Sequence, residues 1–132
     1  MAAGQERAVA TTWDAIPAEQ VRRGVRRRGF GTPEVILVMN EIEPAMDPAP
    51  HAHEGFDQLA LILSGQAVYH IGEVAHEVGP GSVMLIPAGV EHWIEPVGED
   101  VVENLDVFAP ARPDYGHLLA WMAGPGPARP PG

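Results

Sequence analysis

PHAHEGFDQLALILSG, residues 50–65, sets the problem this chain poses. His51 and His53 stand one residue apart beside a proline loop, and Gln58 opens an apolar run that ends at Gly65. The run is apolar on both parities, which predicts a strand covered on both faces. Side chains at i and i+2 of an extended segment share a face, about 7 Å apart along the backbone. Two imidazoles that close can converge on one metal ion. Taken alone, a loop histidine pair without metal is the plainer reading.

Outward from this stretch the signal is mostly strand. EVILVMNEI (Glu34 to Ile42) is β-rich and ends before Pro44, and QAVYHIG with VAHEVG reads as a hairpin around Gly72-Glu73. GSVMLIPAG, EHWIEPV and VVENLDVFAP supply further strands, each bounded by glycine or proline. Seven or more short strands with turns every eight to twelve residues predict an all-β sandwich or barrel. DYGHLLAWMAG predicts one short C-terminal helix, with Asp114 as its cap and an apolar stripe of Leu118, Leu119, Trp121 and Met122. Residues 1–12 and the Pro/Gly-rich 124–132 read as flexible tails around one domain over 13–123.

Composition narrows the class. The chain has 132 residues, 45% of them apolar, enough for one domain with a real core. Its net charge of −10 argues against nucleic acid, which needs a positive footprint. No cysteine is present, which excludes disulfides and thiolate metal sites. No signal peptide or membrane span is visible, so a cytoplasmic protein is expected. Five of the eight arginines crowd into VRRGVRRRGF, as Arg22, Arg23, Arg26, Arg27 and Arg28. This stretch reads as a solvated edge strand blunted by charge, with an anion or partner patch as the alternative.

His92 follows the tight turn PAGVEH, and a third imidazole carried in from a distant strand is one way a barrel builds a facial ligand set. The spacings are H-x-H-x4-Q-x6-G from His51 to Gly65 and G-x5-P-x-G-x2-H from Gly81 to His92. Together these two stretches resemble the paired motifs of the cupin superfamily, a small antiparallel jelly-roll β-barrel with a central metal. The resemblance implies that His51, His53, Gln58 and His92 are metal ligands. Gln58 departs from the glutamate usual in the family, and Pro96 stands where the second motif usually ends in asparagine. Three imidazoles and an amide oxygen are all neutral, so a bound ion would keep its full charge and act as a strong Lewis acid toward a carbonyl. Zinc is the first expectation, with nickel or iron as alternatives.

A proton-moving group is expected in NLDVFAPARPDY. Asp106 lies between leucine and valine, a costly place for a carboxylate unless it is hydrogen-bonded or functional. D-V-F-x-P-x-R is similar to a stretch in the cupins that linearise unsaturated uronates, which implies that Asp106, Phe108 and Arg112 line the active site. FDQLALILSG and HLLAWM also look like the small cupins that cyclise bacterial polyketides. Met39, Phe56, Tyr69, Met84, Trp93 and Phe108 are the expected pocket wall, and such an apolar wall suits a poly-β-ketone. A uronate wants cationic partners, and Arg112 is the evident one. The remaining histidines, His70, His76 and His117, read as surface residues. The expectation is a homodimeric polyketide cyclase: aldol-type ring closure and dehydration through a metal-stabilised enolate, with Asp106 moving the proton and Arg112 orienting the substrate. The alternatives are a uronate-linearising enzyme, an Fe(II) dioxygenase and a non-enzymatic ligand-binding cupin.

Overall fold

The computed structural model describes residues 8–123; residues 1–7 and the segment 124–132 read above as a tail lie outside them. Nine strands follow in order: β1 (Glu19–Arg22), β2 (Val25–Thr32), β3 (Val35–Ile42), β4 (Gln58–Ser64), β5 (Gln66–Ile71), β6 (Val74–Val78), β7 (Val83–Ile86), β8 (His92–Val97) and β9 (Val102–Phe108). They form a six-stranded sheet in the order β1-β2-β3-β9-β4-β7 and a three-stranded sheet in the order β6-β5-β8. Every strand pairing is antiparallel. The core between the sheets is built from alternate residues: Ala60 and Ile62 of β4, Ala67 and Tyr69 of β5, Ile94 of β8 and Val102 of β9. The expected sandwich of short strands is therefore present.

Local chemistry explains the main joints. Gly72 and Glu73 turn β5 into β6, and Gly72 carries the φ of +60° the turn requires. Pro96 has no N–H to give, and it sits opposite Ala67 of β5 in β8, the edge strand of the three-stranded sheet. Gly29 of β2 admits the C-terminal segment, since a Cβ there would lie 2.6 Å from the Cβ of Leu118.

Two expectations need correction, although the short C-terminal helix is present as expected, as a 3-10 helix over Pro113–Ala123. Its stripe does dock, with Leu118 buried against β2 and the Trp121 indole donating to the Gly29 carbonyl at 2.9 Å. Asp114 does not cap it from outside; it lies in the first turn and takes both Nε and Nη2 of Arg112. The arginine-rich β2 is no edge strand, because it lies between β1 and β3. Arg28 is buried, donating to the Trp13 carbonyl at 2.7 Å and lying 3.1 Å from Glu41.

Candidate metal centre

The two histidine-bearing stretches are stitched together by backbone. His51 and His92 form an isolated antiparallel bridge, with His51 N–H donating to His92 O at 3.1 Å and His92 N–H to His51 O at 2.8 Å. The turn Pro87–Gly89 is tied to the same loop: Gly89 N–H donates to His53 O at 2.7 Å and Ala88 N–H to Asp57 Oδ1 at 2.9 Å. These bonds bring together residues 41 positions apart in the chain (92 − 51). The ring centroids of His51, His53 and His92 then lie 4.3–4.9 Å from one another. One nitrogen from each ring falls within 4.8 Å of the other two.

The donor set fits a divalent metal. His51 Nδ1 lies 2.7 Å from Ala49 O and His92 Nδ1 lies 3.0 Å from Val90 O, so a carbonyl fixes the proton of each neutral ring on Nδ1 and leaves Nε2 with its lone pair free. His92 Nε2 is buried with no hydrogen-bond partner among the described residues. The buried Gln58 amide is oriented by donating Nε2 to Asp106 Oδ1 at 2.7 Å. Its Oε1 is likewise buried and unpartnered. An imidazole nitrogen and an amide oxygen left bare in the interior are costly unless something coordinates them. His53 is oriented differently: Arg112 Nη1 lies 3.3 Å from its Nδ1, and Phe56 stacks on the ring at 5.2 Å. Burial, helped by Arg112 and the other two imidazoles, pushes His53 down to about 4, and burial also lowers His92. Both rings are thus held in the neutral form that binds metal.

Asp106 anchors the opposite side. β9 pairs with both β3 and β4, so Asp106 stands beside Val38 and Ala60, with Asn104 and Asn40 in register two pairs further along on the same face. Its carboxylate accepts from Gln58, from Asn104 Nδ2 at 2.9 Å and from Asn40 Nδ2 at 2.9 Å. Burial pushes Asp106 up to about 6 even though these three amides pull the other way. A carboxyl poised there can take or return a proton near neutral pH.

A cavity of about 90 Å³ opens beside these groups, and His51, Gln58, Asn40, Asn104 and Asp106 reach it. Of the six residues expected to wall the pocket, Tyr69 and Trp93 line this cavity. Phe56 and Phe108 instead pack around His53 and beneath Arg112, whose guanidinium lies 5.1 and 5.0 Å from their rings. Met84 packs against the main core. Met39 is buried on the other face of the sheet, because its neighbour Asn40 is the one turned to Asp106. Arg112 also stays outside the cavity lining, 4.0 Å over the Tyr115 ring and paired with Asp114. His70 and His117 meet Glu95 and Glu19 at the surface, and His76 is exposed, as expected.

Sequence reading missed four residues. Asn40 was visible as the lone amide of β3, where only Glu41 is also polar. Arg22 and Arg27 line the cavity together with Tyr115, and they were hidden inside a charge run whose alternate members face opposite ways.

Comparison with known proteins agrees with this architecture. The cupin domain model matches residues 38–108, more than half of the chain, and the chain belongs to the cupin family. It resembles the structure of KdgF from Halomonas sp. at TM-score 0.70 and 21% identity, over 80% of this chain and 98% of that one. It also resembles the polyketide cyclase RemF from Streptomyces resistomycificus at TM-score 0.70 and 23% identity, over 80% of this chain and 82% of that one. At such identities the likeness is one of fold. Protein SCO3923 of Streptomyces coelicolor is 38% identical over 61 residues, 46% of this chain, which spans about half (54%) of that relative's length.

Proposed function

We propose that this cupin is a metal-dependent enzyme that moves a proton on the carbon beside a substrate carbonyl. The observation that carries the reading is the Gln58 amide, which presents Oε1 bare to the histidine cluster while its Nε2 is held by Asp106. One side chain therefore joins the metal-binding side of the site to its proton-moving side. His51, His53, His92 and Gln58 would hold the ion, with zinc first and nickel or iron after it. When bound, it would supply Lewis-acid polarisation of a carbonyl oxygen, undiminished by any ligand charge. Asp106 takes the proton from the adjacent carbon and returns it. Asn40 and Asn104 hold the carboxylate in place, and Arg112 with Phe56 holds the His53 ring.

Aldol-type closure of a poly-β-ketone, as in a polyketide cyclase, uses these parts, and so does opening and tautomerising a small sugar acid. The charged groups in the cavity lining, Arg22 and Arg27 beside Asp106, favour the second. We further propose that the protein is a homodimer, paired through the exposed Leu59, Leu63, Val83 and Leu85 of its six-stranded sheet.

Metal analysis of protein purified without added metal, paired with proton–deuterium exchange on carbonyl compounds followed by NMR, tests the proposal. The wild type is expected to carry one transition metal per chain and to exchange protons beside the carbonyl. Asp106→Asn keeps the metal and loses about 10²–10⁴ in exchange rate. His51→Ala and His92→Ala lose the metal, and full retention in both overturns the ligand set.

A further inference from the structure

Arg22 and Arg27 belong to no step of the chemistry described so far, yet both line the cavity that His51, Gln58 and Asp106 reach. Each is tethered at Nε. Arg22 Nε donates to the Asp47 carbonyl at 2.6 Å, and Arg27 Nε donates to Glu19 Oε2 at 2.6 Å. Among the described residues neither has a hydrogen bond from its terminal nitrogens. Tyr115 lies under the Arg27 guanidinium at 4.7 Å, which fixes the plane of the fork. The two cations are close enough that Arg27 depresses the ionisation of Arg22, after the larger effect of burial, while Asp47 opposes both.

The carboxylates nearby do not account for the pair. Glu19 takes Arg27 at Nε and also meets His117, and Asp47 pairs with exposed Arg23. Asp106 lines the same cavity, but its carboxylate is taken by Gln58, Asn104 and Asn40, and among the described residues no ion pair joins it to either arginine. One cavity is thus lined both by the oxygen-binding, proton-moving groups and by two guanidiniums whose terminal nitrogens have no hydrogen-bond partner among the described residues.

We infer that Arg22 and Arg27 form the anchor for a substrate carboxylate, and that the enzyme acts on small oxo acids whose carbonyl lies at the histidine end. Two guanidiniums aimed at one volume bind a carboxylate through charge-assisted hydrogen bonds, and the fork geometry suits its two oxygens. The anchor also sets specificity, because a neutral analogue leaves the terminal nitrogens of two half-buried guanidiniums without an anionic partner. The inference rests on the metal-centre reading, since the histidine end fixes where the carbonyl goes.

The test compares 2-, 4- and 5-oxo carboxylic acids with their carboxamides, which keep the carbonyl and lose the charge. Binding to metal-loaded protein is followed by calorimetry, and metal content is measured on every sample. At least one acid is expected to bind about tenfold or more tighter than its amide. Arg22→Gln, Arg27→Gln and the double variant abolish that preference while metal content and circular dichroism stay at wild-type values, and Arg27→Lys restores part of it. Equal binding of acid and amide, or no binding of any acid, overturns the anchor. A preference that survives the double variant also overturns it, because the acid is then bound elsewhere. Absence of metal from the wild type overturns the underlying reading instead.

Discussion

The glutamine in the ligand set has a structural reason. A glutamate at position 58 could offer an oxygen to a metal, but it could not donate to Asp106. Gln58 does both, with Nε2 on the carboxylate at 2.7 Å and Oε1 bare. Gln58→Glu would therefore set two carboxylates against each other in a buried site, where one of them must hold a proton. The metal-free variant is expected to unfold about 1–3 kcal/mol more easily than the wild type at pH 8, measured by urea denaturation. The deficit shrinks as the pH falls toward 5, and one that stays constant over this range would contradict the arrangement. Asp106 gives a second pH signature. Its pKa is raised to about 6 from an ordinary 3.8. A carboxyl raised on folding binds protons more tightly in the folded state, so acid stabilises. Metal-free wild type is expected to gain on the order of 1–3 kcal/mol between pH 7.5 and about 4 relative to Asp106→Asn, and parallel stability curves would exclude it.

At the scale of elements, position in the sheet decided what pattern alone could not. The histidine pair, Gln58 and His92 could be picked out because their spacing is local or repeats a known motif. Asp106 stood out as a charge inside an apolar strand. The arginines of β2 did not stand out, because a run of like charge looks the same whether one face or both meet solvent. Pairing with β3 puts Arg28 opposite Met39 and Arg27 opposite Asn40, and so divides the run between two faces. Arg28 and Met39 are buried on the outer side, which is also why Met39 fails to reach the cavity. The C-terminal segment was legible as an apolar stripe but not as a 3-10 helix, since both periods place neighbours three residues apart on one side. Its docking rests on the missing side chain of Gly29. Gly29→Ala puts a Cβ 2.6 Å from the Leu118 Cβ. The substitution is expected to cost about 1–3 kcal/mol through overpacking and to pull Trp121 off the Gly29 carbonyl. Thermal denaturation and a red shift in tryptophan emission report the two effects, and unchanged values would mean that the segment is held elsewhere.

For the whole molecule, the open question is the outer face of the six-stranded sheet. β4 was expected to be covered on both sides because its residues are apolar on both parities. Among the described residues only one side is covered: Gln58, Ala60 and Ile62 are buried, whereas Leu59 is 48% exposed and Leu63 44%. Leu59 stands opposite Leu85 of β7, and Leu61 opposite Val83. Leu85 and Val83 are themselves 58% and 73% exposed. Scattered apolar residues on a surface need no explanation, but a contiguous cross-strand ladder ending at an unpaired edge does. The four ladder residues carry no charge, so the net charge of −10 does not oppose contact through them as it would elsewhere on the surface. A second copy is therefore the expected cover. Analytical ultracentrifugation at micromolar concentration is expected to show a dimer for the wild type and a monomer for the double variant Val83→Glu, Leu85→Glu. Each new carboxylate would be buried unpaired in the interface and would repel its counterpart across the two-fold axis. The metal site faces the other side of the same sheet, so metal content in the monomer is expected to stay at the wild-type value. A monomeric wild type, or a dimer that survives both charges, would show that this face is left to solvent.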